Sequence, residues 1–475
     1  MTQSLAGVGV ERSLRYCIVG AGASGLVAAK NLQELGVPFD MFDAHTDVGG
    51  IWDIQNPSST IYESTHTITS KKVTPYTDFP LPDSAPIYMH HTVVINYLRS
   101  YARKFDLYRH LELGKRVARM ERLAGGGWEV QIEGEELPRK YRGVIIANGH
   151  NWCPKVPSYP GTFSGRSFHS KDYKNPHGLE GKRVVVVGSG NTGCDIAVEV
   201  SRVASVSFLS ARRGYYYLPK FLLGIPVDEL GQSSQSVSLP IWLIRIFYRL
   251  LVWLAMGDQT KYGLPKPDHK LLQTPPISNS LMPYFVAHGA VRMKPDIQRL
   301  EGGRVHFKDG TSEEVDCVIY ATGFQPSFPF IDSQHLAWRD GRPHPYLFIF
   351  HPEYEDLFFA GLTDGTGGHF PTADYGTQLI ARYIWSLDHD PSAAREFAAQ
   401  KRQPPPDLSQ GIAFIDTPRN YTQFELHYYT KLIRSLIKKF SSSAERAGRR
   451  RKVAVESLSV APAAPETAKE VATWR

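Results

Sequence analysis

The chain carries one demanding local pattern twice, and nothing else in its 475 residues restricts the fold as much. The first copy, residues 15–43, reads RYCIVGAGASGLVAAKNLQELGVPFDMFD. An apolar strand, Tyr16 to Val19, runs into Gly20-x-Gly22-x-x-Gly25. A helix follows, with Leu26, Ala29, Leu32 and Leu35 recurring every three residues. Gly36 ends that helix, and a second strand ends on the acid Asp43. The first glycine makes a tight turn, the second admits a pyrophosphate close to the backbone, and the third lets helix meet strand. Ala21 and Ser24 complete the turn, and the helix N-terminus offers free N–H groups to phosphate.

The second copy, residues 182–214, reads KRVVVVGSGNTGCDIAVEVSRVASVSFLSARRG. Val184–Val187 is its strand, Gly188, Gly190 and Gly193 with Asn191 and Thr192 its turn, and Ile196, Ala197, Val200 and Val203 its packed stripe. It ends in Ser210-Ala211-Arg212-Arg213, with no acid to bind a ribose 2′-hydroxyl. Guanidinium groups there suit a 2′-phosphate, so this unit is expected to take NADPH. Each such charge-assisted contact contributes roughly 1.5–3 kcal/mol. The acid of the first unit suits free ribose hydroxyls, as in FAD.

The remaining strands suggest how the units are joined. VIIANGH (144–150) and CVIYATGF (317–324) are apolar strands that end in small residues, and LFFAGLTDGTGGHFP (357–371) precedes a helix bearing Leu379, Ile380, Tyr383 and Ile384. The expected fold class is α/β, with two Rossmann-like dinucleotide-binding domains and the NADPH domain inserted in the FAD domain. The expected boundaries are an N-terminal extension over 1–14, FAD-binding parts at 15–165 and 301–440, and an NADPH domain at 166–300. A helical insert is expected at 225–275 and a disordered basic tail at 441–475.

The net charge of +7 raises the question of nucleic acid, but much of the excess sits in RAGRRRK (446–452), so no nucleic-acid partner is expected. Four cysteines, Cys17, Cys153, Cys194 and Cys317, form no C-x-x-C pair and suit a cytoplasmic, reducing setting. That also argues against a disulfide reductase. No metal is expected, since the 17 histidines make no ligand cluster such as HExxH. LPIWLIRIFYRLLVWLAMG (239–257) reads as an amphipathic helix packed on the protein, with peripheral membrane contact as the alternative. Arg245 and Arg249 argue against a membrane span. The aromatic GYYYLPKFLLG (214–224) is a candidate lid.

Between the two units lies FSGRSFHSKDY (163–173), by its residues an ordered hinge with Gly165 in a turn and Phe163 and Phe168 at the seam. Its pattern Phe163-x-Gly165-x-x-x-His169-x-x-x-Tyr173 resembles the fingerprint FxGxxxHxxx(Y/F) of flavin-containing monooxygenases. GNTGCDIA (190–197) resembles that family's NADPH loop, VGGIWD (48–53) its flavin-contacting segment, and YATGF (320–324) its later ATG motif. The resemblance runs from about residue 15 to about 440. It implies FAD contacts from Gly50, Ile51, Trp52, Thr322 and Gly323. It also implies a reaction in which NADPH reduces the flavin, the reduced flavin adds O₂ at C4a, and a nitrogen or sulfur of a small molecule takes one oxygen atom. The related Baeyer–Villiger enzymes favour tryptophan where this chain has Tyr173.

Ile68 departs from the pattern, since the family commonly has an asparagine near the flavin there. Thr69, Thr67 or His66 are candidate substitutes, and Asp364 and His369 are candidates for facing the flavin or the substrate. Ketone oxygenation and an NADPH oxidase releasing H₂O₂ stay open beside nitrogen or sulfur oxygenation. A membrane-surface scaffold is the reading from another class.

Overall fold

A computed structural model describes residues 10–234, 241–339, 341–365 and 367–440. The first unit opens with β1 (Val10–Val19), α1 (Ala23–Glu34) and β2 (Phe39–Asp43). Helix α2 (His91–Lys104) follows, then β3 (Leu111–Leu113), β4 (Val117–Arg122), β5 (Trp128–Ile132) and β6 (Arg139–Ile146). These strands make one sheet in the order β3-β2-β1-β6-β5-β4, parallel as far as β6 and antiparallel beyond it. Residues 10–14, expected to lie outside the fold, continue β1, with Val10 opposite Arg139. The extension is therefore shorter than the sequence suggested.

The second unit contains β7 (Gly161–Phe163), β8 (Arg166–His169), β9 (Arg183–Val187), α3 (Asn191–Val200) and β10 (Val206–Ser210). After it come α4 (Val227–Ser234) and α5 (Ile241–Met256), then β11 (Val291–Lys294), β12 (Ile297–Gly302), β13 (Arg304–Phe307), β14 (Ser312–Glu314) and β15 (Cys317–Tyr320). Its parallel sheet runs β11-β10-β9-β15-β8, and a smaller sheet runs β14-β13-β12-β7. Residues 301–320 thus belong to the second unit, because β15 pairs with β9 along its length. The expected boundary at 300 falls too early, since an apolar strand does not announce in sequence which sheet it joins. The chain returns to the first sheet only at β16 (Leu357–Phe359), beside β6.

Helix α6 (His369–His389) then packs on α1, with Leu379, Ile380 and Tyr383 buried in the same core as Leu26, Ala29 and Leu32. Asn31 Nδ2 crosses that contact to Thr377 Oγ1 at 2.9 Å. Helices α7 (Pro391–Lys401) and α8 (Leu426–Lys439) close the fold. Helix α5 is not packed as expected: Leu243, Ile246, Phe247, Leu250, Trp253 and Leu254 are all exposed. The candidate lid is anchored instead, with Tyr217 buried in the second core and only the hairpin tip near Leu223 open. The basic tail at 441–475 lies outside the described residues.

Helix α3 is also the point where the two units are tied. Tyr62 Oη donates to Asp195 Oδ2 at 2.7 Å, and Asn279 Nδ2 donates to its other oxygen at 2.6 Å. One turn on, Glu199 Oε2 accepts from Tyr173 Oη at 2.9 Å and from Ser64 Oγ at 3.1 Å. Burial raises the pKa of the Asp195 carboxyl, with these hydrogen bonds acting in opposition. Tyr62→Phe is expected to lower stability by about 1–3 kcal/mol, because it strips a partner from a buried carboxyl. Equilibrium denaturation would check this, and an unchanged midpoint would contradict it.

Candidate functional site

Both sheets reverse strand order next to a glycine turn, between β1 and β6 and between β9 and β15. Open parallel sheets bind ligands at such points. Gly20 (φ +109°) and Gly188 (φ +108°) take the left-handed region, and a Cβ on each would lie 2.5 Å from the Ala147 carbonyl oxygen and 2.4 Å from that of Ala321, respectively. A Cβ at Gly25 or Gly193 would sit 1.8 Å from the carbonyl oxygen of Gly20 or Gly188, so helix and strand touch backbone to backbone. Nothing lies within 4 Å at Gly190, so that face is open to a ligand.

In the first turn, Asp43 accepts N–H bonds from Ala21 (2.6 Å) and His45 (2.8 Å). Burial is the largest influence on its carboxyl and raises the pKa, partly offset by those N–H groups. Gly49 N–H reaches the Ala21 carbonyl, which folds Gly50, Ile51 and Trp52 over the turn. In the second turn, Asn191 Oδ1 accepts from Ser278 N–H and Ser210 Oγ donates to the Pro295 carbonyl. Arg212 is exposed, while Arg213 leans on Asp268 at 3.5 Å.

The two turns share one cavity of about 2000 Å³. Gly20, Gly22, Ser24, Asp43, Gly50, Ile51, Trp52, Ile68, Thr69 and Asp364 line it from one side, and Gly188, Gly190, Asn191, Thr192, Ser210, Arg212 and Arg213 from the other. Ala21, Gly25 and Gly193 stay behind its wall, as their backbone roles require. Thr322 and Gly323, expected on the flavin side, follow β15 beside the Gly188 turn; Asn148 and Gly149 take the equivalent place after β6. Ile68 is half exposed and offers the cavity no hydrogen bond. Of its candidate substitutes, Thr69 Oγ1 pairs with Thr74 Oγ1, Thr67 Oγ1 accepts from Met89 N–H and keeps its own proton to donate, and His66 Nδ1 meets the Ser64 carbonyl.

Of the segment 163–173 only Ser170 lines the cavity; Phe163, Gly165, His169 and Tyr173 lie behind its wall. Phe163 and Phe168 lie in β7 and β8 and pack on separate cores, and a Cβ at Gly165 would meet the Phe163 ring at 2.6 Å. His169 accepts from Lys171 N–H and donates from Nε2 to the Gly323 carbonyl at 3.1 Å, which fixes the turn beside the second cradle. Tyr173 holds Glu199. The sequence reading missed Tyr62, Asp195 and Asn279, whose contacts span long chain separations. It also passed over His150, although that residue ends a quoted strand motif. Among the described residues, no cluster suits a metal ion.

Two glycine cradles, one ending on an acid and the other on two arginines, open to one cavity and suit an oxidoreductase that carries two dinucleotides. The sequence matches the flavin-binding monooxygenase-like family over residues 13–407, and the chain belongs to that family. It is 32% identical to dimethylaniline monooxygenase [N-oxide-forming] 2 of Macaca mulatta over 399 residues, covering 80% of this chain and 74% of the relative. It is also 32% identical to flavin-containing monooxygenase 5 of Mus musculus, over 86% of this chain and 80% of the relative. Among solved structures, S-allyl-L-cysteine S-oxygenase from Allium sativum superposes with TM-score 0.62 at 20% identity, covering 95% and 94% of the two chains. Steroid monooxygenase bound to NADP gives 0.66 at 18% identity, covering 90% and 98%. The protein is an FAD- and NADPH-dependent monooxygenase.

Gly193→Ala is expected to cost stability by about 1–3 kcal/mol through overpacking. Gly190→Ala is expected to leave stability within about 0.5 kcal/mol and to weaken NADPH binding, because its Cβ occupies only ligand space. Thermal melts paired with NADPH titration would separate the two, and equal melting losses would contradict the distinction.

Proposed function

We propose that the protein transfers one oxygen atom from O₂ to a nitrogen or sulfur of a small molecule, with FAD in the first cradle and NADPH in the second. The observation that carries this reading is the contrast between Asp43 and Arg212 across one shared cavity. The residues fit both groups: each turn lacks the Cβ that would fill its phosphate face, and each is followed by a helix N-terminus. Bound FAD supplies the redox chemistry, accepting hydride from NADPH and passing electrons to O₂. The chain's part is to bind, orient and exclude water. The first turns of α1 and α3 offer N–H groups to pyrophosphate, and Asp43 has lone pairs left for ribose hydroxyls. Arg212 meets the 2′-phosphate, and Ile51, Trp52, Ile68 and Phe370 keep the cavity wall apolar. Relatives named for N-oxide formation and S-oxygenation support a soft nucleophile as substrate.

One observation keeps a second outcome in view. With Ile68 in the wall and Thr69 Oγ1 paired with Thr74 Oγ1, part of the reducing power is expected to leave as H₂O₂ when no substrate is present. The deciding assay follows NADPH consumption with a tertiary amine, a sulfide or a ketone, and quantifies oxide, ester and H₂O₂. Oxide from amine or sulfide supports the proposal. Ester alone would place the enzyme with the ketone oxygenators, and H₂O₂ alone with the oxidases. Arg212→Ala is expected to lower the preference for NADPH over NADH by roughly ten- to a hundredfold, measured as kcat/KM for each cofactor.

We also infer contact with an anionic lipid surface through α5. Among the described residues no helix is long and apolar enough to cross a membrane. Leu243, Ile246, Phe247, Leu250, Trp253 and Leu254 instead form one exposed apolar stripe at helical spacing. Exposed Arg249 lies on the same helix, and Lys261 on the turn that Tyr262 ties to the Met256 carbonyl. Leu250→Glu with Trp253→Glu is expected to abolish co-sedimentation with phosphatidylserine vesicles at low salt. Unchanged pelleting, or a dimer in solution that the same substitutions dissociate, would overturn the lipid assignment.

A further inference from the structure

The strands β6 and β16 leave the first sheet side by side, and the segments that follow bring His150 and Asp364 together on the cavity wall. His150 Nε2 lies 3.0 Å from Asp364 Oδ1, and the Gly361 backbone adds a smaller influence that favours the protonated ring. Asp364 Oδ2 accepts from Thr422 Oγ1 at 2.9 Å, and its N–H reaches the Thr422 carbonyl. A carboxylate at hydrogen-bond distance favours the protonated imidazole. Burial opposes that charge, but the carboxylate and the Gly361 backbone outweigh it, and the pKa of His150 rises. Burial likewise opposes ionisation of Asp364, yet His150 and Thr422 prevail and hold it down to about 2.

A second histidine stands beside this pair in the opposite state. His369, the first residue of α6, lies 3.3 Å from Ser24 Oγ in the first turn of α1, and also bonds to the Thr363 carbonyl. Burial, aided by the charge on His150, depresses its pKa to about 4, so it is neutral at physiological pH. Its ring centre is 6.5 Å from that of His150. His369 thus links the first turn of α1, through Ser24, to the first turn of α6, with His150 beside it. Asp364 and His369 are the titratable groups that act on His150 here, the first from the loop after β16 and the second from α6.

An ion pair with His150 largely shut off from water and Asp364 open to the cavity adds little net stability, so its position on a cofactor wall calls for another explanation. We propose that His150, held by Asp364 and Thr422, is a positioning residue for the flavin: it presents a fixed positive charge to the first cradle that favours the reduced, anionic ring over the oxidised, neutral one. This rests on the reading that FAD occupies that cradle. The role belongs to His150 because its proton offsets the Asp364 carboxylate 3.0 Å away, so that losing the imidazolium would leave a net negative charge on the cavity wall. Asp364 and Thr422 act through His150 by keeping it protonated. The linkage has a definite sign. With its pKa raised, His150 keeps its charge to higher pH than a free histidine, and the preference for reduced flavin is lost as pH rises through that pKa.

The test is the midpoint potential of the bound flavin in the purified holoprotein, measured against a reference dye from pH 6 to 9. The wild type should show an extra fall in potential as His150 loses its proton. His150→Gln should remove that step and weaken the preference for reduced flavin about ten- to a hundredfold at low pH, or roughly 30 mV per tenfold for a two-electron couple. Asp364→Asn should move the step to lower pH. A folded, flavin-loaded His150→Gln protein with the wild-type potential at every pH would overturn the inference. If His150→Gln does not retain FAD, Asp364→Asn decides, and a step at the wild-type pH overturns it. A wild-type protein that takes up no FAD would overturn the reading of the first cradle as well, which separates the two failures.

Discussion

The approach of helix to strand at the two glycine turns is the contact on which the rest of the molecule depends. Backbone touches backbone where Gly25 meets the Gly20 carbonyl and Gly193 meets that of Gly188. A side chain at either place would lift the helix off the sheet and turn its N-terminal N–H groups away from the cavity. The neighbouring strand is held as tightly, since the carbonyls of Ala147 and Ala321 occupy the space a Cβ on Gly20 or Gly188 would need. Each cradle is therefore a three-body packing problem solved by the absence of atoms. Its phosphate-binding property follows from that packing and needs no additional charged side chain.

Much of this was legible in the sequence because the constraint is local. The strands at Tyr16–Val19 and Val184–Val187, the helices begun at the two glycine turns and the strand ending at Asp43 fall where spacing put them. The helices stop before Leu35 and Val203, however, and β10 stops at Ser210, two residues short of Arg212. Sheet membership was less legible. Cys317–Tyr320 is as apolar as any first-sheet strand, and only its pairing with β9 assigns it to the second. Thr322 and Gly323 follow it on the cavity wall beside the Gly188 turn. Helix α5 showed the reverse difficulty, since its composition suits a buried face and an exposed one equally, and only its surroundings decide.

The side-chain networks were the least legible of all. His150 and Asp364 are far apart in the chain, and their pairing follows from β6 and β16 being neighbours, which a hydropathy pattern does not encode. The fingerprint at 163–173 was recognisable by its letters, but its physical work was not. Gly165 turns under the Phe163 ring, His169 holds the Gly323 carbonyl, and Tyr173 reaches across to Glu199. Phe163, Gly165, His169 and Tyr173 do not line the cavity. The motif keeps the second cradle in shape from behind.

Helix α3 has two occupations along one length. Its first turn forms the second cradle, while Asp195 and Glu199, four residues apart, are gripped by Tyr62 and Ser64 from the first unit and by Tyr173. A dinucleotide that steadies the start of this helix steadies the seam as well, and a seam held by its tyrosines presents a better-ordered helix to the dinucleotide. Thermodynamic reciprocity makes the two effects equal in size. One helix thus links the second cradle to the seam between the two units.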